Sequence, residues 1–418
     1  MDSRGAAPSR AEMRHFAAAL IVAGSAVGLL GTQVGSAAST PLEQLEQTTQ
    51  QVRHLAPLRS VPAAFLPNSQ FNAVVQSNQR RGETDAQLEI GRRELVLLGM
   101  LSPSADYKSL IYQNLTSQVL GLYDYYAHKL YVRNESGKVF GIDRYAIAHE
   151  YTHALQDQHY NLKKLMPDQS ALAYRNSDAE SAHHALIEGD AVNTEYLYIS
   201  KAYTPTEIHD LVNEPVPQVR PLPPALQREF DFPYTTGVQF AQKLYKTGGM
   251  TAVDAAYHRL PTSTYEIMHP AAYTRHWKPI QVALHGVVGL PDWKQVDDDV
   301  NGAFGIDLIL WQYLSRTQAD RVTNAYRGDR YIFLENGTQD AMLLKTVWTS
   351  PSTAKEAKAA WVQSIRKWLP SAQVTGRGAA TLVQGNVSVY LRLSKRSLEV
   401  AYAPTPTLAQ QLGTAPIN

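Results

Sequence analysis

The sequence predicts an α+β protein that is mostly helical. Long stretches between residues 67 and 317 carry apolar residues at helical spacing. Two short β-rich segments around a polar turn interrupt them at 119–134 and indicate a small β-hairpin. After residue 351 one amphipathic helix is followed by strand-like segments, which predicts a small C-terminal α/β segment.

The composition of the 418-residue chain excludes several classes of protein. It has 39 Lys and Arg against 38 Asp and Glu, and 44% of its residues are hydrophobic. This balance excludes a disordered chain and argues against nucleic acid as a partner, for which a basic surplus is typical. Because Cys is absent, disulfides, cysteine nucleophiles and thiolate metal sites are excluded too. Any metal site must use His, Asp or Glu.

Residues 1–38 have the organisation of a secretory signal peptide. Arginines precede an apolar run at 16–31, and small residues follow up to Ala38. The run is shorter than the roughly 20 residues that a spanning helix requires, which favours cleavage after Ala38 over a retained N-terminal anchor. No other segment approaches a span, so we expect a secreted, extracytoplasmic mature chain with no integral membrane span.

The rest of the chain divides by composition into four parts. Residues 39–66 are rich in Thr, Gln and Pro and predict a flexible linker, within which the segment LEQLEQTTQQVRHL (42–55) is a candidate short helix. A main domain is expected over 67–350, a small α/β subdomain over 351–403 and a disordered tail over 404–418.

The elements follow from the local patterns. Asp143 is the expected N-cap of the helix that follows the hairpin. Apolar periodicity predicts helices at 67–115 (in three pieces), 143–162, 177–200, 236–258, 303–317 and 353–369. β-Branched and aromatic residues predict strands at 119–123, 129–132, 330–337, 341–348, 381–393 and 397–402. Pro-rich sequence predicts loops and a broken helix at 203–235 and 260–273.

The strongest functional signal is the HExxH motif of His149, Glu150 and His153, which falls inside a predicted helix. Residues i and i+4 lie about one turn apart on one helix face, so both imidazoles can bind one zinc ion. Glu150 points to the edge of that face, where it can hold and deprotonate a zinc-bound water without binding the metal. The motif predicts an enzyme with one Zn²⁺ ion.

A catalytic zinc site of this kind needs a third protein ligand. Glu188, in the segment ALIEGDA of the next long helix, is favoured because the intervening chain is long enough for that helix to return alongside the first. The alternatives are other His and Glu residues nearby: His159, Glu180, His183, His184 and Glu195.

A carboxylate that accepts a hydrogen bond from the distal ring nitrogen orients a zinc-bound imidazole. Asp157 lies one turn after His153 and is expected to do this or to contact the helix of Glu188. Asp190 is the alternative.

With these residues in view, the chain resembles the gluzincin-type zinc metallopeptidases, which combine HExxH with a downstream Glu. More closely, it is similar to a group of largely uncharacterised exported bacterial and archaeal proteins. The resemblance covers about residues 70–350, and Tyr265-Glu266 departs from the Glu-Gln of the group. The shared blocks, in order, are GLYDYYAHKLYV (121–132), AHEYTHALQDQHY (148–160), ALIEGDA (185–191), LPTSTYEIMHPAAY (260–273) and YRGDRY (326–331).

The resemblance implies a zincin-like pair of active-site helices within 67–350. It implies the zinc ligands His149, His153 and Glu188, with Glu150 as the general base.

The resemblance also draws attention to His269, in the segment STYEIMHP. We expect this residue to act in catalysis by stabilising the oxyanion of the transition state. Tyr273 and Tyr265 are the next candidates.

The predicted function is therefore a secreted zinc endopeptidase that acts on a peptide or protein substrate, with the hairpin at 119–132 as an edge to which an extended peptide adds. One alternative is an exported binding or scaffold protein that keeps the zinc site without turnover. Another is a zinc hydrolase of a non-peptide bond, such as one in cell-wall material. A further hypothesis makes residues 40–115 an inhibitory prosegment.

Overall fold

The structure is a computed structural model that describes residues 39–414 except 83, 135, 140, 167–174, 214–220, 285–289 and 376–379. The predicted signal peptide at 1–38 lies outside the described residues. Within the described ranges, none of the helices combines the length and apolar character that crossing a membrane requires.

The chain has an α+β fold. Its helices are α1 (Pro41–Arg53), α2 (Asn68–Gly82), α3 (Asp85–Leu97), α4 (Tyr107–Gln118), α5 (Ile142–Tyr160), α6 (Leu162–Leu165), α7 (Ser177–Ala202), α8 (Pro205–Asn213), α9 (Pro224–Phe232), α10 (Val238–His258), α11 (Thr264–Met268), α12 (Pro270–Thr274), α13 (Gly302–Trp311), α14 (Arg316–Thr323), α15 (Pro351–Trp368) and α16 (Pro406–Thr414). A π-helical turn, Pro233–Gly237, joins α9 to α10. The strands are β1 (Ala63–Leu66), β2 (Gly121–Asp124), β3 (Lys129–Arg133), β4 (Lys294–Asp299), β5 (Tyr326–Asn336), β6 (Gln339–Trp348), β7 (Gln373–Thr375), β8 (Ala380–Gln384), β9 (Val387–Ser394) and β10 (Ser397–Ala403).

The predicted helices at 67–115 and the β-hairpin are confirmed as α2, α3, α4 and the pair β2–β3. The predicted loop at 260–273 instead contains the one-turn helices α11 and α12. Ser263 caps α11 by accepting from the Tyr265 amide at 3.1 Å, and Pro270 begins α12 at a position that needs no amide donor. The helix predicted at 303–317 ends at Trp311, and α14 follows it.

Helices α5 and α7 lie side by side in the interior and carry the motif residues. Ile147, Ala148 and Leu155 of α5 are fully buried. The predicted N-cap is wrong: Gly141 occupies that position without a side-chain cap. Asp143 lies in the first turn, where its charge suits the helix dipole and its carboxylate accepts from Asn134 Nδ2 at 2.6 Å.

The predicted flexible linker at 39–66 is wrong, because this segment is part of the fold. Thr40 and Glu43 form a capping box at the start of α1. The candidate short helix at 42–55 is confirmed as α1, which buries Leu45 and Arg53 against α5 and α7. Strand β1 then pairs in parallel with β3, giving a three-stranded sheet of order β1-β3-β2.

A seven-stranded antiparallel sheet of order β4-β5-β6-β10-β9-β8-β7 forms the other part of the described chain. Strands β6 and β10 pair across residue 350, so the sheet extends over 294–403 and the predicted separate subdomain at 351–403 is not a separate unit. Ladder hydrogen bonds connect segments that are remote in sequence, and the composition of the chain does not reveal this pairing.

The predicted disordered tail at 404–418 contains the helix α16. Leu408, Ala409 and Leu412 are buried in an apolar cluster with residues of the large sheet. These apolar residues at i, i+1 and i+4 stabilise the short helix by packing against the large sheet.

Candidate metal centre

Two histidines and one glutamate converge between α5 and α7. His149 Nε2 lies 3.1 Å from His153 Nε2 and 3.2 Å from Glu188 Oε2. His153 Nε2 lies 3.5 Å from the same Glu188 oxygen. Within the described ranges, this is the group of His, Asp and Glu whose ligand atoms are close enough to hold a metal ion.

The helix spacing positions the two imidazoles as the sequence predicts. His149 and His153 are one turn apart on α5, and their ring centroids are 4.8 Å apart with planes at 83°. Glu188 reaches them from α7, so the third atom comes from a different element.

The distal ring nitrogens are held by two side chains that the sequence analysis did not assign to this task. His153 Nδ1 is 2.8 Å from Gln156 Oε1. The Gln156 amide group donates to Ile187 O at 3.0 Å, so its oxygen must face the imidazole and accept from Nδ1–H. His149 Nδ1 is 3.3 Å from Glu195 Oε2. Both rings therefore present Nε2 to the cluster.

This arrangement places three electron-rich atoms face to face and calls for a cation between them. Burial works against a charged ring, but hydrogen bonds to Glu188 and Glu195 outweigh it and raise the pKa of His149 well above its usual value. Burial likewise opposes the charged carboxylate of Glu188, but His153 and His149 lower its pKa well below the usual range. A proton or a metal ion satisfies the same three atoms, and the neutral imidazole is the form that binds metal.

A buried polar network supports the cluster from behind. Gln156 Nε2 also donates to Asp190 Oδ2 at 2.9 Å, and Tyr257 donates to the same oxygen at 2.8 Å. Arg53 Nε donates to Asp190 at 3.0 Å, and neither side chain is exposed to solvent. The alternative orienting residue Asp190 thus acts on His153 through Gln156, and it is joined to the N-terminal helix α1.

Asp157 does not contact either histidine of the cluster. Its carboxylate accepts from Tyr123 Oη at 2.9 Å, from the Leu162 amide at 3.1 Å and from Arg59 at 3.2 Å, and it lies 2.9 Å from His128 Nδ1. Asp157 comes four residues after His153. The hydrogen bond to the His153 ring is made instead by Gln156, which comes three residues after it. Asp157 joins the hairpin to the end of α5.

Glu150 lies against strand β2. The Tyr123 amide donates to Glu150 Oε2 at 2.8 Å. A Cβ at Gly121 would lie 2.6 Å from Glu150 Cγ, so only glycine leaves room for this side chain. The hairpin therefore fixes the predicted general base, which follows His149 directly in the chain.

The structure does not bring His269 to the cluster. Its ring packs on Tyr265, with centroids 4.4 Å apart. Burial lowers the pKa of His269, and the negative charge of Asp320 opposes this effect only in part. The next candidates are engaged elsewhere: Tyr265 donates to Asn324 O at 3.0 Å and Tyr273 to Arg259 O at 2.7 Å.

An aromatic residue that sequence reasoning missed lies near the cluster. Tyr234, in the π-helical turn, has its ring centroid 6.4 Å from that of His149 and is 38% exposed. Gly189 and Gly237 allow the turn to approach α7, since a Cβ on Gly189 would lie 2.2 Å from Gly237 O. In the sequence, the glycine that follows Glu188 was the one indication that another backbone approaches α7 closely at this position.

The remaining candidate ligands lie outside the triangle of donor atoms. His184 Nε2 is 3.3 Å from the other oxygen of Glu188, which it helps to orient. His159 Nε2 is 2.7 Å from Ala56 O, and His183 Nδ1 is 3.0 Å from Leu165 O.

A family model described as a domain of unknown function (DUF8575) matches residues 290–412. The match spans the strands β4 to β10 and most of α16, and it includes none of the three residues of the metal cluster. No curated protein and no solved structure matches the chain. The family match therefore bears on the large sheet and not on the chemistry of the site.

Proposed function

We propose that this protein is a zinc-dependent metallopeptidase with His149, His153 and Glu188 as its metal ligands. The observation that carries the proposal is their triangle of donor atoms, with edges of 3.1, 3.2 and 3.5 Å. Tetrahedral zinc with ligands at about 2.1 Å separates them by about 3.4 Å. The donor set fits zinc in number, chemistry and spacing, and three protein ligands are typical of a catalytic site.

The proposed reaction is hydrolysis of a peptide bond by water. Zinc held by these residues would supply a Lewis acid for the water and the scissile carbonyl. Glu150 takes the proton of the attacking water and delivers it to the leaving amine. Its hydrogen bond to the Tyr123 amide holds one carboxylate oxygen, which keeps the side chain oriented for this transfer.

We assign the oxyanion-stabilising role to Tyr234 in place of His269, because its ring lies beside His149. A phenolic hydroxyl donates a hydrogen bond to developing negative charge. Strand β2 is an edge of the three-stranded sheet, which supports the addition of an extended peptide there. Export by the N-terminal segment is part of the same proposal.

A Glu150→Gln variant tests the proposal. We expect purified wild-type protein to contain one zinc and to cleave an unfolded casein in a chelator-sensitive manner. The variant keeps the zinc but loses turnover by about two orders of magnitude or more, because it lacks the proton acceptor. Zinc is measured by elemental mass spectrometry and cleavage by the release of new amino termini.

The matched control is His159→Gln, which changes a histidine on the same helix outside the cluster. It is expected to keep both zinc and activity. Zinc-loaded wild type that cleaves neither casein nor any protein substrate refutes the peptidase and favours the scaffold alternative. Unchanged zinc affinity in Glu188→Ala refutes the ligand assignment.

A further inference from the structure

A cavity of about 560 Å³ lies between α3, the start of α7, β4 and α13. None of the three metal ligands lines it. One part of its wall is apolar and consists of side chains such as Ile90, Leu95, Leu308 and Ile309. Other lining residues carry carboxylates and form an acidic wall, so the cavity is complementary to a long side chain with an apolar stem and a positively charged end.

The acidic wall contains more negative than positive charge. Its carboxylates are those of Glu94, Asp297 and Asp299, and Arg175 pairs with both aspartates. Arg81 also lines the cavity, and its guanidinium pairs with Asp124. The Tyr331 hydroxyl donates to Glu94 Oε2 at 3.3 Å. Glu94 Oε1 is buried and accepts no hydrogen bond from a donor, and the Glu94 carboxyl is in hydrogen-bonding contact with that of Asp297, so a proton or a cation is needed between them. A buried acceptor without a donor is costly, and it marks where a ligand donor fits.

The charges around Glu94 come from strand β4 and from Arg175. Burial raises the pKa of Glu94 well above its usual value, and Asp297 and Asp299 on β4 raise it further, whereas Arg175 lowers it. A cation at this place would offset that repulsion. The carboxylates of this wall are not among the groups that are close enough to hold a metal ion in the described chain. The apolar wall and the volume also suit an organic cation better than a bare ion.

The cavity is connected to the metal centre by two elements. Tyr125 and Tyr126 line it and directly follow β2, which holds Glu150. Glu180 also lines it, and lies two helical steps of four residues before Glu188 on α7. Eight residues of helix span about 12 Å, a distance that about four residues of extended peptide cover.

We propose that this cavity binds a Lys or Arg side chain of the peptide substrate. The methylene groups lie along the apolar wall and the charged end donates to Glu94. This inference rests on the proposed peptidase function and names its substrate class: peptides with a basic residue within about four positions of the scissile bond.

The first test measures binding without catalysis. Butylguanidinium and its neutral isostere butylurea are titrated calorimetrically into full-length wild type, Glu94→Gln and Glu89→Gln. We expect wild type to bind the cation and to bind butylurea at least about tenfold more weakly. Glu94→Gln is expected to bind the cation about tenfold more weakly than wild type does. Glu89→Gln, an exposed carboxylate on the same helix, is the matched control and keeps wild-type affinity.

Equal binding of butylguanidinium and butylurea by wild type overturns the inference, whether or not Glu94→Gln folds. So does equal affinity in folded Glu94→Gln and wild type.

The second test reads the cleavage sites of an unfolded casein. Wild type is expected to cleave near Lys or Arg, and the ratio of kcat/KM for basic over neutral peptides falls in Glu94→Gln but not in Glu89→Gln. Cleavage without preference for basic residues overturns the inference and leaves the peptidase proposal intact. Cation binding without any cleavage refutes the peptidase and shows a cation-binding cavity with another role.

Discussion

The side-chain amide of Gln156 determines which nitrogen of His153 faces the cluster. Its NH₂ group is committed to Ile187 O and Asp190, so its oxygen accepts from the imidazole. The motif predicted the histidines but not this contact. Asp157 and Gln156 both lie about one turn beyond His153, and only the side-chain directions of the folded helix distinguish them.

Replacing Gln156 by Leu removes the acceptor of His153 Nδ1–H and leaves Asp190 without one donor. Loss of a residue that orients a metal-bound imidazole lowers metal affinity by about 10- to 100-fold. We expect this loss in a competition titration against a chromophoric zinc chelator. The matched control is Gln363→Leu at an exposed position of α15, which should bind zinc like wild type. Wild-type affinity in Gln156→Leu would show that the amide has no orienting role.

Asp178 at the start of α7 predicts a pH dependence of stability. Burial raises its pKa to about 7, although hydrogen bonds from Ser263 and Thr264 lower it. A carboxyl whose pKa is raised by folding stabilises the fold at low pH and loses that contribution as pH rises through about 7. We expect the Tm of wild type to fall more between pH 6 and pH 8 than that of Asp178→Asn, measured by differential scanning fluorimetry. Parallel Tm curves would contradict the assignment.

At the scale of elements, the contact between α7 and the π-helical turn controls how Tyr234 lies beside His149. The backbones approach so closely that Gly189 and Gly237 have no room for a Cβ. The sequence shows the glycine after Glu188, but not the partner that requires it. The helices themselves were predictable because their apolar periodicity is local, whereas the pairing of β1 with β3 depends on contacts remote in sequence.

Gly189→Ala places a methyl group on the backbone of the π-helical turn. We expect the free energy of unfolding to fall by about 1–3 kcal/mol because the two elements must separate. Peptidase activity should fall too, since Tyr234 moves with the turn. Gly91→Ala on α3 is the matched control, because its Cβ would have 3.9 Å to the nearest side-chain atom. Chemical denaturation gives the free energy of unfolding of both variants. An equal loss of stability in the two variants would exclude the proposed contact.

At the scale of the whole molecule, the N-terminal segment supports the candidate metal centre. Arg53 of α1 is bound to Asp190 and lies 2.7 Å from Asp254 of α10, so it joins three helices behind His153. This argues against the hypothesis that residues 40–115 form a removable prosegment. Composition did not show that either end of the described chain packs into the fold, because α1 and α16 acquire their stability from surfaces that distant parts of the sequence supply.

A chain that begins at residue 67 lacks α1 and β1. It leaves Asp190 buried without its cation, a change that typically costs about 3–5 kcal/mol. We expect the shortened chain to have a lower Tm and to bind less zinc than a chain that begins at residue 39. Arg53→Met tests the same link when the shortened chain does not fold. A gain of peptidase activity on removal of 39–66 would restore the prosegment hypothesis.

The edges of the two sheets differ in a way that bears on self-association. The large sheet ends at β4, which carries three consecutive aspartates, and at β7, which has three residues. Charged or short edge strands resist pairing with another chain. Strand β2, with the sequence GLYD, carries no such charge until its last residue. The other edge of the small sheet, β1, is a strand of four uncharged residues, AAFL. The molecule thus discourages aggregation along its large sheet, whereas the longer-range approach of a peptide strand is left to the small sheet, where Glu150 lies beside β2.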